Sequence, residues 1–230
     1  MKNLFLTFST IAILIFTTTI FAAVPSKWYA GIGAGVGKMY TAKLPSTVKN
    51  QAQSYSEKFG GFSANIYVGY LWNISSISGL KLGPELGYNY YQNNKYKLYS
   101  TDGSTIHWKY QGYNIHLMGV ALYNLTNTNW NIFGKAGAAY VSQNLKGSYY
   151  QVNYTDLSND RAKILPKVAL GAGYNFNKNF GVTVMADYIF GVKPDSILQA
   201  RSTSNIGHSL NKSVASVVTA TIGIICSFGA

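Results

Sequence analysis

The chain is poor in acids, in cysteine, in charge overall and in long apolar runs, and each shortage excludes something. Only seven Asp and Glu stand against 19 Lys and Arg. Charged residues make up 11% of the chain, where soluble domains usually carry about 25%. A water-facing surface of ordinary polarity is therefore not what this composition builds. The single cysteine, Cys226, excludes an intrachain disulfide and sits within an apolar alternating stretch near the C-terminus, where a buried, inert thiol is expected. Beyond residue 23 no segment approaches the ~20 consecutive apolar residues that a spanning helix needs. If the mature chain crosses a membrane, it does so with strands.

What is abundant is aromatic and small: 19 Tyr, 15% aromatics and 23 Gly. The N-terminus reads as an export signal. Lys2 gives a positive start, Leu4 to Phe21 is apolar apart from scattered Ser and Thr, and small residues follow at Ala22 and Ala23. Residues 1–22 are assigned to a signal peptide, with cleavage after Ala22 and Ala23 as the neighbouring choice. Residues 23–230 then form one domain, and removing Lys2 leaves 18 basic residues (19 less one) against the same seven acids.

Eight alternating segments follow: Trp28–Tyr40, Phe62–Trp72, Leu80–Tyr91, Tyr110–Tyr123, Trp130–Gln143, Ile164–Phe176, Phe180–Gly191 and Ser216–Phe228. Each reaches the ~9–11 residues with which a tilted strand crosses a bilayer. The links alternate in length. Asn73–Gly79, Asn124–Asn129 and Asn177–Asn179 are short and turn-like, whereas Thr41–Gly61, Gln92–Lys109, Asn144–Lys163 and Val192–Ala215 are long and polar. Within the segments, apolar and small or polar residues alternate with period two: Val182, Val184 and Ala186 oppose Thr183, Met185 and Asp187, and Ile222 and Ile224 oppose Thr221 and Gly223. Ile225 breaks the alternation of the last segment.

Aromatics choose which face looks outward. Trp28, Trp72, Tyr123, Trp130, Phe176, Phe180 and Phe228 lie on the apolar face at the short-turn ends, and Phe62, Tyr88, Tyr90, Tyr113, Tyr140 and Tyr188 lie toward the long loops. Two aromatic belts place that face in lipid. A soluble barrel or sandwich with the apolar face inward leaves the gathering of rings at strand ends without a reason. The expected fold is all-β: an eight-stranded antiparallel transmembrane β-barrel with short periplasmic turns and four long extracellular loops, located in the outer membrane of a Gram-negative cell.

The signal, the strand count, the turn and loop pattern and the opening Trp28-Tyr29-Ala30-Gly31-Ile32-Gly33-Ala34-Gly35 resemble the small outer-membrane barrels: the OmpA transmembrane domain, OmpX and the opacity-protein-like surface antigens. The likeness covers the whole mature chain. Members of that family usually end on an aromatic residue read by the assembly machinery, whereas here Gly229 and Ala230 follow Phe228; no peptidoglycan-binding domain is expected after the barrel. The resemblance implies acid–base pairs crossing the lumen.

Five ionisable residues fall on the polar face at similar heights: Glu85, His116, Lys135, Lys167 and Asp187. Inward is the placement for them, because a Lys facing lipid at mid-depth costs about 2–4 kcal/mol, and charges inside a side-chain-filled barrel must pair. A structural ion-pair plug is expected there, with a narrow pore as the alternative. Gly31, Gly33, Gly35 and Gly37 precede Lys38 but match no phosphate-loop spacing; they read as room for Tyr and Lys from opposite strands. His107, His116 and His208 lack zinc spacing, and neither cofactor nor metal is expected. His208 and Ser209 suggest a lipid A deacylase, an enzyme whose barrel uses a His and a Ser separated by one intervening residue. Here they are adjacent, and strand alternation would send them to opposite faces. Basic residues crowd the loops, Lys95, Lys97, Arg161, Lys163 and Arg201 among them, with Tyr interspersed. Such loops attract anions. The expected partners are outer-membrane lipid and lipopolysaccharide, together with a host surface or anionic glycan. Nucleic acid is excluded for an exported barrel, and the chain is expected to be monomeric and non-enzymatic, with a structural or adhesive role.

Overall fold

The computed structural model describes residues 27–40, 52–58, 60–100, 105–150, 157–192 and 214–228. They form nine strands: β1 (Lys27–Met39), β2 (Ala52–Lys58), β3 (Gly61–Asn73), β4 (Leu80–Ser100), β5 (Thr105–Asn124), β6 (Trp130–Tyr150), β7 (Leu157–Asn175), β8 (Phe180–Ile189) and β9 (Val217–Phe228). Eight of them close a ring in the order β1-β3-β4-β5-β6-β7-β8-β9, every neighbour antiparallel. The seam is the ladder from Trp28↔Phe228 to Met39↔Val217. β2 continues the place of β3 above Gly60, pairing with the upper part of β4 on the edge that β3 occupies lower down. Among the described residues no helix is long and apolar enough to cross a membrane; the strands do so.

The three short links are turns as expected. In the last, the Asn177 side-chain carbonyl accepts the amides of Asn179 and Phe180 at 2.8 and 2.9 Å, the local bonding that makes Asn a turn residue. The first turn closes on Gly79, whose φ of +86° lies where a Cβ is strained.

The long links differ from expectation. β4, β5 and β6 run past the anticipated ends at Tyr91, Tyr110 and Gln143 to 20 or 21 residues each, and β7 begins at Leu157 instead of Ile164. Much of Gln92–Lys109 and Asn144–Lys163 is thus strand, and Thr41–Gly61 contains β2. With these extensions β4, β5 and β6 are about twice as long as a bilayer requires. Above the lipid a strand has no apolar medium to face, so its sequence need not alternate greasy with polar, and a polar extension reads as loop. β4 carries a bulge between Gln92 and Lys95. It turns the side chain of Asn94 inward, fully buried, to donate to the Met39 carbonyl at 3.0 Å and to accept the Gly60 amide at 3.0 Å. That clamp ties the upper ends of β1 and β3 to β4.

The burial pattern settles the faces. Ile32, Leu170, Val184 and Ile222 are more than half exposed to the barrel's surroundings, while Tyr29, Tyr67, Met118 and Phe133 are buried inside. Ile225, the exception to the alternation, packs against the internal cluster of Tyr29, Tyr67, Leu71 and Val120. Cys226 lies half-buried on the outward side opposite Ala30 and Phe180, not in the interior.

The inward glycines make room for rings, but from the neighbouring strand and not from across the lumen. Gly31 pairs with Tyr67 and Gly69 pairs with Tyr29. A Cβ on either glycine would lie 2.3 or 2.4 Å from the partner's ring. The two exchanges are reciprocal, so β1 and β3 each give a glycine and receive a tyrosine. Gly87 beneath His116 and Gly171 beneath Phe133 repeat the device. A ring folded flat over a glycine fills the lumen without pushing the strands apart.

Val184→Arg, at mid-depth on the outer face, is expected to destabilise the inserted barrel by about 2–4 kcal/mol, and Phe176→Arg in the turn-side belt by about 0–1 kcal/mol. Denaturant unfolding in lipid vesicles, followed by the gel shift between boiled and unboiled samples, measures both. Equal tolerance at the two positions would reverse the assignment of faces.

Candidate functional site

The lumen is filled in layers. Nearest the turns lies the apolar cluster of Tyr29, Tyr67, Leu71 and Val120, and beside it Met118, Phe133, Ala169 and Met185. Above them the five ionisable residues come together, all buried. Lys135 from β6 reaches across to Glu85 on β4, placing Nζ 2.9 Å from Oε1 and 2.7 Å from Oε2. Tyr29 on β1 donates its hydroxyl to the same Oε2 at 2.8 Å. The Lys135 ammonium also lies over the ring of Tyr67, 4.4 Å from its centre, where the ring's negative face favours a cation.

A second pair completes the belt. Lys167 Nζ on β7 lies 3.4 Å from Asp187 Oδ1 on β8. Asp187 also accepts from Asn89 at 3.4 Å and from Thr219. Lys167 extends on to Asn114 Oδ1 at 3.4 Å and His116 Nδ1 at 3.3 Å. The other ring nitrogen of His116 is 3.9 Å from Glu85 Oε1, so the histidine bridges the two pairs. Two carboxylates balance two ammoniums. Each charge needs this, since an unpaired buried charge is far costlier than the pair is worth. The sequence carried the charged members of this network; Tyr29, Asn89, Asn114 and Thr219 were legible only as inward positions.

The loop end of the lumen is closed by backbone. Gln143 on β6 accepts the Ala215 amide at 2.8 Å and donates to the Ala215 carbonyl at 2.9 Å. Val214, Ala215 and Val217 are buried with it. A side-chain amide here substitutes for a strand neighbour and satisfies both backbone groups of Ala215.

The belt aromatics lie on the outer face. Trp28, Trp72, Trp130, Phe176, Phe180 and Phe228 are exposed and Tyr123 is partly so. Edge contacts link Trp28, Tyr70 and Trp72 with centroids 5.0 and 5.3 Å apart, and Tyr88 stacks on Tyr113 in the upper belt at 5.7 Å.

Above the upper belt the basic residues align in a way that spacing along the chain conceals. Lys58 pairs with Lys95, Lys95 with Lys109, and Lys109 with Lys146. Four lysines therefore occupy directly opposed positions on β2, β4, β5 and β6. One rung higher, Lys97 pairs with His107. Lys95 and Lys97 are exposed, and Lys109 and His107 are half-buried. Lys109 is four residues above Tyr113 on the same strand face, about 13 Å at ~3.3 Å per residue, which places the rung at or just above the lipid headgroups. On β7, Lys163 is exposed and Arg161 half-buried. Arg201, His208 and Ser209, like residues 1–22, lie outside the described residues.

Comparison with known proteins agrees with this architecture. A family model described as the OmpA-like transmembrane domain matches residues 24–229. No curated protein sequence matches the chain. Among solved structures, the outer-membrane protease OmpT from Escherichia coli is similar at a TM-score of 0.50 and 11% identity, over 92% of this chain and 100% of that one. Neisserial surface protein A is similar at 0.47 and 13%, over 87% and 97%. Ail, the attachment invasion locus protein of Yersinia pestis, solved in complex with the heparin analogue sucrose octasulfate, is similar at 0.44 and 14%, over 90% and 100%.

Removing either member of the Glu85–Lys135 pair, as Glu85→Gln or Lys135→Met, is expected to cost about 3–5 kcal/mol, because the partner stays buried and uncompensated. The double variant should recover most of that loss. Additive losses in a double-mutant cycle, measured by urea unfolding in vesicles, would show that the two charges are not energetically coupled.

Proposed function

From the premise that the chain belongs to the OmpA-like transmembrane domain family, an outer-membrane β-barrel, we propose that it is a non-enzymatic surface protein whose basic outer wall binds phosphate- or sulfate-bearing saccharides. The observation that carries this reading is the rung of Lys58, Lys95, Lys109 and Lys146. Like charges directly opposite on neighbouring strands repel and destabilise a sheet. A row of four is stable where an array of anions lies against it, and strand spacing of ~4.8 Å sets the four positions at intervals suited to successive oxyanions on a sugar chain. Lys97, His107 and exposed Tyr99 widen the same surface. Lipopolysaccharide phosphates in the membrane and sulfated glycans on another cell share this chemistry.

The filled lumen supports a structural barrel over a conducting one: two apolar layers, an ion-paired belt and the Gln143–Ala215 closure occupy the axis. Ring closure leaves no unpaired strand edge at membrane depth, which supports a monomeric unit.

The reconstituted protein should bind a heparin hexasaccharide, with affinity falling steeply as salt rises. The Lys95→Gln/Lys109→Gln variant should bind about tenfold more weakly while retaining its folded gel mobility. Unchanged affinity in that variant, or equal binding of neutral dextran, would remove the proposal.

A further inference from the structure

The turn end of the barrel, away from the saccharide-binding wall, carries a second basic feature. A cavity of about 70 Å³ opens there along the barrel axis. Its floor is the apolar cluster around Tyr29 and Tyr67, and its walls include Lys27, Lys81, Asn124, Asn131 and Asn175. Lys27 enters from β1 and Lys81 from β4, each half-buried. They are held on either side of β3 by the pairings Lys27↔Leu71 and Asn73↔Lys81. Lys135 also reaches the cavity, but its charge is already balanced by Glu85.

Among the described residues no carboxylate lines this space. The seven acids of the chain are Glu57, Glu85, Asp102, Asp156, Asp160, Asp187 and Asp195. None falls in the turns at residues 74–79, 125–129 and 176–179, whereas Lys178 does. Two partly desolvated ammoniums therefore share a concave, low-dielectric wall with three carboxamides that can donate hydrogen bonds. Such a wall focuses positive potential into the cavity. In the lumen above, this protein matches every such ammonium with an acid; here no acid among the described residues does so.

We propose that this vestibule is a binding site for a small oxyanion, a carboxylate or phosphate carried on a narrow stem, entering from the periplasm. Entry is along the axis because every lining strand residue points inward, which excludes approach from the lipid side. Lys27 and Lys81 supply charge, and the asparagine carboxamides supply directional donors. The apolar floor receives the stem's carbon atoms or limits how deep the group descends. The size admits one such group and no folded partner.

The test is titration of the refolded barrel in detergent micelles, followed by NMR shifts of the amides at residues 27, 81, 131 and 175. Three probes are used: inorganic phosphate, an N-acetylated dipeptide with a free C-terminal carboxylate, and the same dipeptide amidated. Saturable shifts with either anionic probe, absent with the amide, are expected; which of the two binds more tightly identifies the source of the oxyanion. Lys27→Gln/Lys81→Gln should weaken that binding about tenfold or more. Lys178→Gln, outside the cavity, should not change it. Unboiled gel mobility shows that each variant is folded. Shifts that do not saturate, that persist in the double variant, or that occur equally with the amidated peptide would overturn the proposal. None of these outcomes touches the heparin measurement, which reads the opposite end of the molecule.

Discussion

Backbone hydrogen bonding inside hydrocarbon is the constraint on which the rest of this structure depends. A peptide group left unpaired at membrane depth costs several kcal/mol, so a sheet that spans lipid must have no edge. The chain meets this by bringing β9 back to β1 over the full ladder from Trp28↔Phe228 to Met39↔Val217. Closure at eight strands then sets the bore, and the bore sets the interior: it is wide enough for side chains and too narrow for much else. The inward glycines, the ring-over-glycine exchanges and the mutual pairing of buried charges all follow from having to fill that fixed volume.

Charge is consequently distributed by depth. In the middle of the lumen, where water is excluded, Lys135 and Lys167 are each bound to a carboxylate. At both ends, where water or a partner reaches the protein, lysines outnumber acids. On the outer wall they stand in register across four strands; at the turn end two of them face one small cavity. Among the described residues the excess of positive charge is thus a property of the two rims, not of the core. Lipid fixes this arrangement as firmly as it fixes the aromatic belts, since no depth between the rims tolerates an unbalanced ion.

Some of this was legible in the alternation of residues, and some was not. Ile222, Leu170 and Val184 announce an outward face because lipid demands an apolar side chain at every second position, and Trp28, Trp130 and Phe180 mark its limit because rings prefer the interface. The upper parts of β4, β5 and β6 carry a loop-like sequence because that demand ends at the headgroups; their hydrogen bonds persist where their pattern does not. Gly31 was correctly read as space for a tyrosine but assigned to the wrong direction. Spacing along one strand cannot say whether the ring that needs the space lies beside it or across the bore.

The sequence by itself determined that strands, not a helix, cross the membrane, how many there are, which face meets lipid, and which five ionisable groups must be hidden together. Those follow from local periodicity and from solvent preference, which act on each residue in its own segment. Only the tertiary structure decided who pairs with whom: that Lys58, Lys95, Lys109 and Lys146 form one rung, that Tyr29 serves Glu85, that Lys27 and Lys81 open onto the same cavity. Partners of this kind are set by strand register and bulges such as that at Asn94. Register belongs to the contact between two strands, so neither strand's residues express it alone.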